Sequence, residues 1–114
     1  MAKDARDVAV MALTAYRKQG VWPDVYLKSA VAGMDVRDAA LATNITYGVM
    51  QNRMLLDFYI KSMSSIGMSR IAKRVLDILR VGLYQLYFLD KVPEYAVVDG
   101  AVRMARRENE RISG

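Results

Sequence analysis

Residues 71–93 read IAKRVLDILRVGLYQLYFLDKVP, and the reading of this stretch decides the fold. It is the longest run that can form one helix, and its apolar positions nearly surround it. Ile71, Val75, Ile78, Leu79, Gly82, Leu86 and Leu89 share one face at helical spacing, with Leu76, Leu83 and Tyr87 on the flank beside it. Arg70, Lys73, Arg74, Asp77 and Arg80 fall in one narrow polar stripe. A helix apolar over most of its circumference must be covered on most sides, so the stretch predicts a bundle packed around it. Gly82 costs about 1 kcal/mol against Ala in mid-helix, which predicts a neighbouring helix crossing closely there. Pro93 sets the stop, since it cannot continue the hydrogen-bond ladder and pushes Val92 out of the α region.

Working outward, the rest of the 114 residues supplies helices to do the covering. An apolar content of 54% supports one packed core, and two prolines and seven glycines leave long uninterrupted segments. The first helix is expected over residues 3–19, with Ala5, Val8, Ala9, Ala12, Leu13 and Tyr16 on its apolar face and Gly20 at its end. A short second helix follows Val21 and Trp22, with Pro23 in its first turn and Gly33 after its last. Trp22 could stack on a base, but a lone tryptophan beside a helix start is more often a packing anchor. Asp35 is placed to cap a third helix, whose faces are Val36, Ala39, Ala40, Thr43, Tyr47 and Met50, and Leu41, Ile45 and Gly48. A fourth is expected over residues 54–63, then a Ser- and Gly-rich loop. After Pro93 a last helix is expected from Glu94 to about Arg107, loosened by Gly100. The eight methionines read as core filler.

Charge and chemistry narrow the function classes. The formal net charge is +5, which suits an anionic partner such as RNA as well as plain solubility. There is no cysteine, so thiolate chemistry and disulfides are excluded, and no histidine, so the commonest general base is missing. No phosphate loop or metal-ligand pair is present, and Asp57, Asp77 and Glu94 stand as isolated acids. No cofactor is expected. No apolar run approaches the roughly 20 residues of a membrane span, and no signal-peptide core is seen, so a cytoplasmic location is expected. Two basic groups are candidates for phosphate contact. Lys3, Arg6 and Arg17 fall together on the polar side of the first helix, with Thr14 between them. Arg103, Arg106 and Arg107 cluster with Arg111 near the end of the chain, where Glu108 and Glu110 make i,i+4 pairing the plainer reading.

Residues 79–102, LRVGLYQLYFLDKVPEYAVVDGAV, resemble the NusB-like N-terminal domain of the ribosomal RNA small-subunit cytosine-5 methyltransferase B (RsmB) family. Leu79, Arg80, Gly82, Tyr84, Gln85, Leu86, Val92 and Pro93 match the family's pattern. Residues 37–50, RDAALATNITYGVM, resemble it again, with its tyrosine-glycine pair at Tyr47 and Gly48. The family usually continues with a run of arginines, where this chain has Gln51, Asn52 and Arg53, a departure that weakens the case for RNA contact at that corner. Where the family has histidine and then an asparagine-glutamate pair, this chain has Tyr95 and Asp99-Gly100.

The resemblance implies an all-α, NusB-like bundle of about five to six helices, with residues 1–114 forming one RNA-binding domain that lacks the family's last helix. NusB-like domains contact RNA largely through basic residues of the first helix, which favours Lys3 and Arg6. The implied function is a non-catalytic RNA-binding or docking domain, with ribosomal RNA and the catalytic methyltransferase domain of the same parent chain as partners. In that family a separate domain binds S-adenosylmethionine and attacks cytosine with a cysteine. Two other readings stand beside it: a free-standing transcription antitermination factor of NusB type, and a helical protein–protein module. The apolar circumference of residues 71–93, with only shorter segments to cover it, also predicts an exposed groove open to self-association.

Overall fold

A computed structural model describes residues 4–89 and 92–113, with side chains described to residue 110. These residues are all-helical. The helices are α1 (Ala5–Gln19), α2 (Pro23–Ala30), α3 (Val36–Gln51), α4 (Arg53–Met63), α5 (Lys73–Phe88) and α6 (Glu94–Ser113), with a short 3₁₀ turn at Met68–Arg70.

The ends of the elements follow from local chemistry. Asp4 caps α1, its Oδ1 accepting from the Arg6 N–H at 2.8 Å, and Asp35 caps α3 through the Arg37 N–H at 3.2 Å. Gly20, at φ 70°, closes α1 in the left-handed region, where a side chain would be strained. Pro23 opens α2, where its missing N–H costs nothing.

α5 packs against α1, α3, α4 and α6, as its apolar circumference predicts. The main core joins Val10 and Leu13 of α1, Ile45 and Val49 of α3, Leu56 of α4, Ile78 and Val81 of α5, and Met104 of α6. A smaller cluster of Ala5, Val8, Ala12, Leu27 and Ala42 seats α2 on α1 and α3. Small residues on α1 let these helices approach.

The structure corrects several expectations. α5 ends at Phe88 rather than running to Pro93, and the longest helix is α6, which continues past Arg107 to Ser113. Gly100 lies inside it without a break. The polar stripe of α5 is divided: Lys73 is exposed, but Asp77 is 3% exposed and Arg80 5%. Leu79 and Leu86, expected on the covered face, lie at the surface instead. On α3 the buried positions are Ala42, Ile45, Thr46, Gly48 and Val49, while Val36 and Tyr47 are exposed. Met54 and Met63 also lie at the surface, while Met104 is buried and Met34 and Met50 pack against the core.

The close helix crossing belongs to Gly48, not Gly82. A Cβ on Gly48 would overlap the Tyr84 ring of α5, whereas one on Gly82 would meet Val97 Cγ1 at an ordinary 3.8 Å. An apolar groove lies between α4 and α5. It measures about 330 Å³ and is lined by Ile60, Met63, Ile71, Leu79 and Leu83.

Candidate nucleic-acid interface

Arg6, Val10, Thr14 and Arg17 recur at three- and four-residue spacing, so they share one side of α1. That side faces α5. Arg6 Nε donates to Gln85 Oε1 at 2.6 Å, and Gln85 in turn donates to the Val81 carbonyl at 3.1 Å. Arg6 Nη1 also lies 3.4 Å from Asp4 Oδ1. Arg17 Nη2 donates to Asp77 Oδ2 at 2.9 Å, and Thr14 Oγ1 lies 3.1 Å from the same oxygen. Arg6 and Arg17 are therefore not the solvated edge that the helical wheel suggests. Their long side chains hold α1 to α5, and their heads are largely shielded. Lys3 lies outside the described residues.

Asp77 is the hinge of a wider ionic chain. Arg80 Nη1 donates to Asp77 Oδ1 at 3.2 Å, while its Nε and Nη2 grip Asp57 at 2.7 and 3.2 Å. Arg53 Nε reaches Asp57 at 3.9 Å. The chain runs Arg17, Asp77, Arg80, Asp57, Arg53 across α1, α5 and α4. The two buried charges, Asp77 and Arg80, persist because each is paired and hydrogen-bonded.

The second basic cluster crosses α1 near its N-terminus. Arg103 approaches Asp4 at 3.6 Å and Asp7 at 3.8 Å, and Arg107 approaches Asp7 at 3.6 Å. Arg106 is exposed. Glu108, expected to pair within its own helix, is buried and lies 3.9 Å from Arg74 of α5. The arginine pairs of α6 are thus interhelical. They are also loose and half solvated, and surface pairs of this kind contribute about 0–1 kcal/mol. Among the described residues Arg106 makes no ion pair, and Arg103 and Arg107 are held only loosely. Arg6 adjoins this cluster, since its Cδ packs 3.6 Å from where a Gly100 Cβ would sit. The acids Asp4 and Asp7 temper the local potential. Nearby, burial raises the Tyr26 phenol above its ordinary pKa, and the charge of Arg74 opposes the shift.

The structure thus brings Arg103 and Arg107 to the N-terminal end of α1 and leaves Arg17 in a different cluster with Arg53 and Arg80. Trp22 is not the packing anchor expected: it is 62% exposed, resting on Tyr16 with ring centroids 5.6 Å apart. The contacts of Arg74 with Glu108 and of Arg80 with Asp57 are not legible from spacing, since these partners are distant in sequence, whereas Arg53 meets Asp57 at i,i+4.

The described residues form a helical bundle that presents solvated arginines on α6. Residues 3–114 match the model of the NusB family, and the chain belongs to that family. It is 30% identical over 103 residues to the "Probable ribosomal RNA small subunit methyltransferase B" of Bacillus subtilis (strain 168), covering 89% of this chain and 23% of that protein. It is 30% identical over 105 residues to the "Ribosomal RNA small subunit methyltransferase B" of Erwinia tasmaniensis, covering 89% of this chain and 24% of that protein. It is 29% identical over 104 residues to the "Transcription antitermination protein NusB" of Lacticaseibacillus casei, covering 90% of this chain and 77% of that protein. The chain therefore spans under a quarter of the methyltransferase relatives and most of the antitermination relative. Among the described residues no helix is long and apolar enough to cross a membrane.

Proposed function

We propose that this chain is an RNA-binding domain that holds ribosomal RNA for a cytosine-5 methyltransferase domain of the same parent protein, acting in the cytoplasm. The observation that carries the RNA-binding part is the arginine fan of α6, Arg103, Arg106 and Arg107, whose charges are solvated and loosely held. Each such group that meets a phosphate releases counterion, which is the dominant source of affinity in sequence-independent binding. Lys3 is proposed as a further phosphate contact, while Arg6 and Arg17 serve mainly to hold α1 in place. The relatives in Bacillus subtilis and Erwinia tasmaniensis support the methyltransferase assignment. The chain has no cysteine to attack C6 of cytosine, so its own part in that reaction is positioning.

A second reading, a free-standing antitermination factor, is favoured by the 77% of the Lacticaseibacillus casei relative that the chain covers. An antiserum raised against the domain separates the two in an extract of its own cells. A band several times the length of this chain supports the methyltransferase reading; a band near its own size sinks it in favour of the second. Binding of small-subunit ribosomal RNA, falling steeply with salt, tests the part that both share. Salt-independent or absent binding would remove it.

A further inference from the structure

The aromatic pair at the end of α1 and the arginine pocket beside it lie apart from the α6 surface. Gly20 reverses the chain there, its N–H bonding the Tyr16 carbonyl at 3.1 Å and the Val21 N–H reaching Ala15 at 3.4 Å. The reversal brings Trp22 back onto Tyr16 with the rings tilted by 43°. Pro23 next to it is buried, so the backbone of this corner is anchored while the indole stays in solvent. An exposed, oriented aromatic of this kind offers a face on which a planar group can stack.

Tyr16 also lines a pocket of about 220 Å³, whose polar wall is Arg17, Arg53, Arg80 and Asp77. The ionic chain behind that wall holds three cations, Arg17, Arg80 and Arg53, and two anions, Asp77 and Asp57. The balance is one positive charge. Arg80 is matched on both sides. Arg53 is not: its nearest carboxylate oxygen is 3.9 Å away and its side chain is 53% exposed. Arg17 spends Nε and Nη2 on Asp77, and among the described residues its Nη1 makes no hydrogen bond. Donors are left over at the rim, beside the aromatic pair.

We propose that this corner binds single-stranded nucleic acid, with one base stacked on Trp22 and a neighbouring phosphate held by Arg53 and Arg17 in the pocket. Single strands present unstacked bases that an aromatic side chain can take, and the adjoining backbone needs cationic donors. A duplex keeps its bases inside and cannot use the indole. The site rests on the RNA-binding reading above but not on the α6 surface. It also lies at the corner where the departure of Gln51 and Asn52 from the family's arginine run speaks against RNA contact; Arg53 alone reaches the pocket.

Trp22 is the sole tryptophan, so its fluorescence reports on this corner alone. A short oligouridylate, an oligoadenylate and an RNA duplex of the same length are titrated against the full chain. Affinity is read separately from the anisotropy of end-labelled RNA. Both single strands should quench Trp22. Trp22→Ala should weaken their binding by roughly fivefold to a hundredfold, the range of a lost base–aromatic stack, and Trp22→Phe should restore most of it. Arg53→Gln should lower the slope of log affinity against log salt by roughly 0.7, one phosphate contact to a single strand. Binding with unchanged Trp22 emission and no loss in Trp22→Ala overturns the corner site and leaves RNA binding standing. Preference for the duplex also overturns it. No binding of any RNA overturns the site and the RNA-binding reading together.

Discussion

At the scale of single residues, two glycines with similar surroundings in the sequence have opposite roles. Gly48 faces Tyr84, whose ring stacks on Phe88 at 5.1 Å and whose hydroxyl donates to Asn44 Oδ1 at 2.9 Å. A methyl group at 48 would displace a ring held on two sides. Gly48→Ala should destabilise by about 1–3 kcal/mol, the usual cost of overpacking. Gly82 has no such neighbour, and Gly82→Ala should gain up to about 1 kcal/mol from helix propensity. Urea unfolding of the two variants checks both, and equal signs would show that the crossing is misassigned.

At the scale of elements, the contact of α5 with α1 and α4 is organised by a carboxylate rather than by apolar packing alone. Asp77 accepts from Arg17 and Arg80 while 3% exposed. Removing one member of a buried pair leaves the other charge uncompensated, which costs about 3–5 kcal/mol. Asp77→Ala should destabilise on that scale, measured by chemical denaturation. Arg17→Gln should cost less, since its head remains partly solvated. These residues make the first-helix edge a poor target for testing RNA contact: changing Arg6 and Arg17 together should lower stability before it reports on binding.

At the scale of the whole molecule, two surfaces besides the Trp22 corner stay open among the described residues. One is the fan of α6. Arg106→Gln with Arg107→Gln should lower the melting temperature by no more than a few degrees, since exposed charges contribute about 0–1 kcal/mol. The same pair should weaken RNA binding and flatten its salt dependence by up to roughly 1.4 in slope, two phosphate contacts to a single strand. An unchanged slope would remove both from the interface. The other surface is the groove between α4 and α5. A dye that brightens on apolar surface should bind the native chain, and Leu79→Lys should reduce that signal without lowering stability, because Leu79 is already 37% exposed. Loss of stability in Leu79→Lys would mean that Leu79 is packed.

The chain by itself determined its helices and where most begin. Asp4, Asp35, Gly20 and Pro23 act on their own backbone within a few residues, so their effect is written locally. It also determined that residues 71–93 sit at the centre, because an apolar circumference needs neighbours whatever they are. The family likeness was legible in Arg80, Gly82, Tyr84 and Gln85, and the match over residues 3–114 bears it out. Tertiary structure alone decided which side of each helix is inside. A helical wheel assigns Asp77 and Arg80 to water because it cannot see Arg17, 60 residues away, or Asp57, 23 residues away, which neutralise them. It assigns Arg6 to solvent because Gln85 is 79 residues distant. The position of Trp22 beside a helix start suggests a packing anchor and does not reveal that the indole is 62% exposed against Tyr16. Local hydrogen bonds are fixed by neighbours along the chain, whereas the pairing of charges depends on which helices the core brings together.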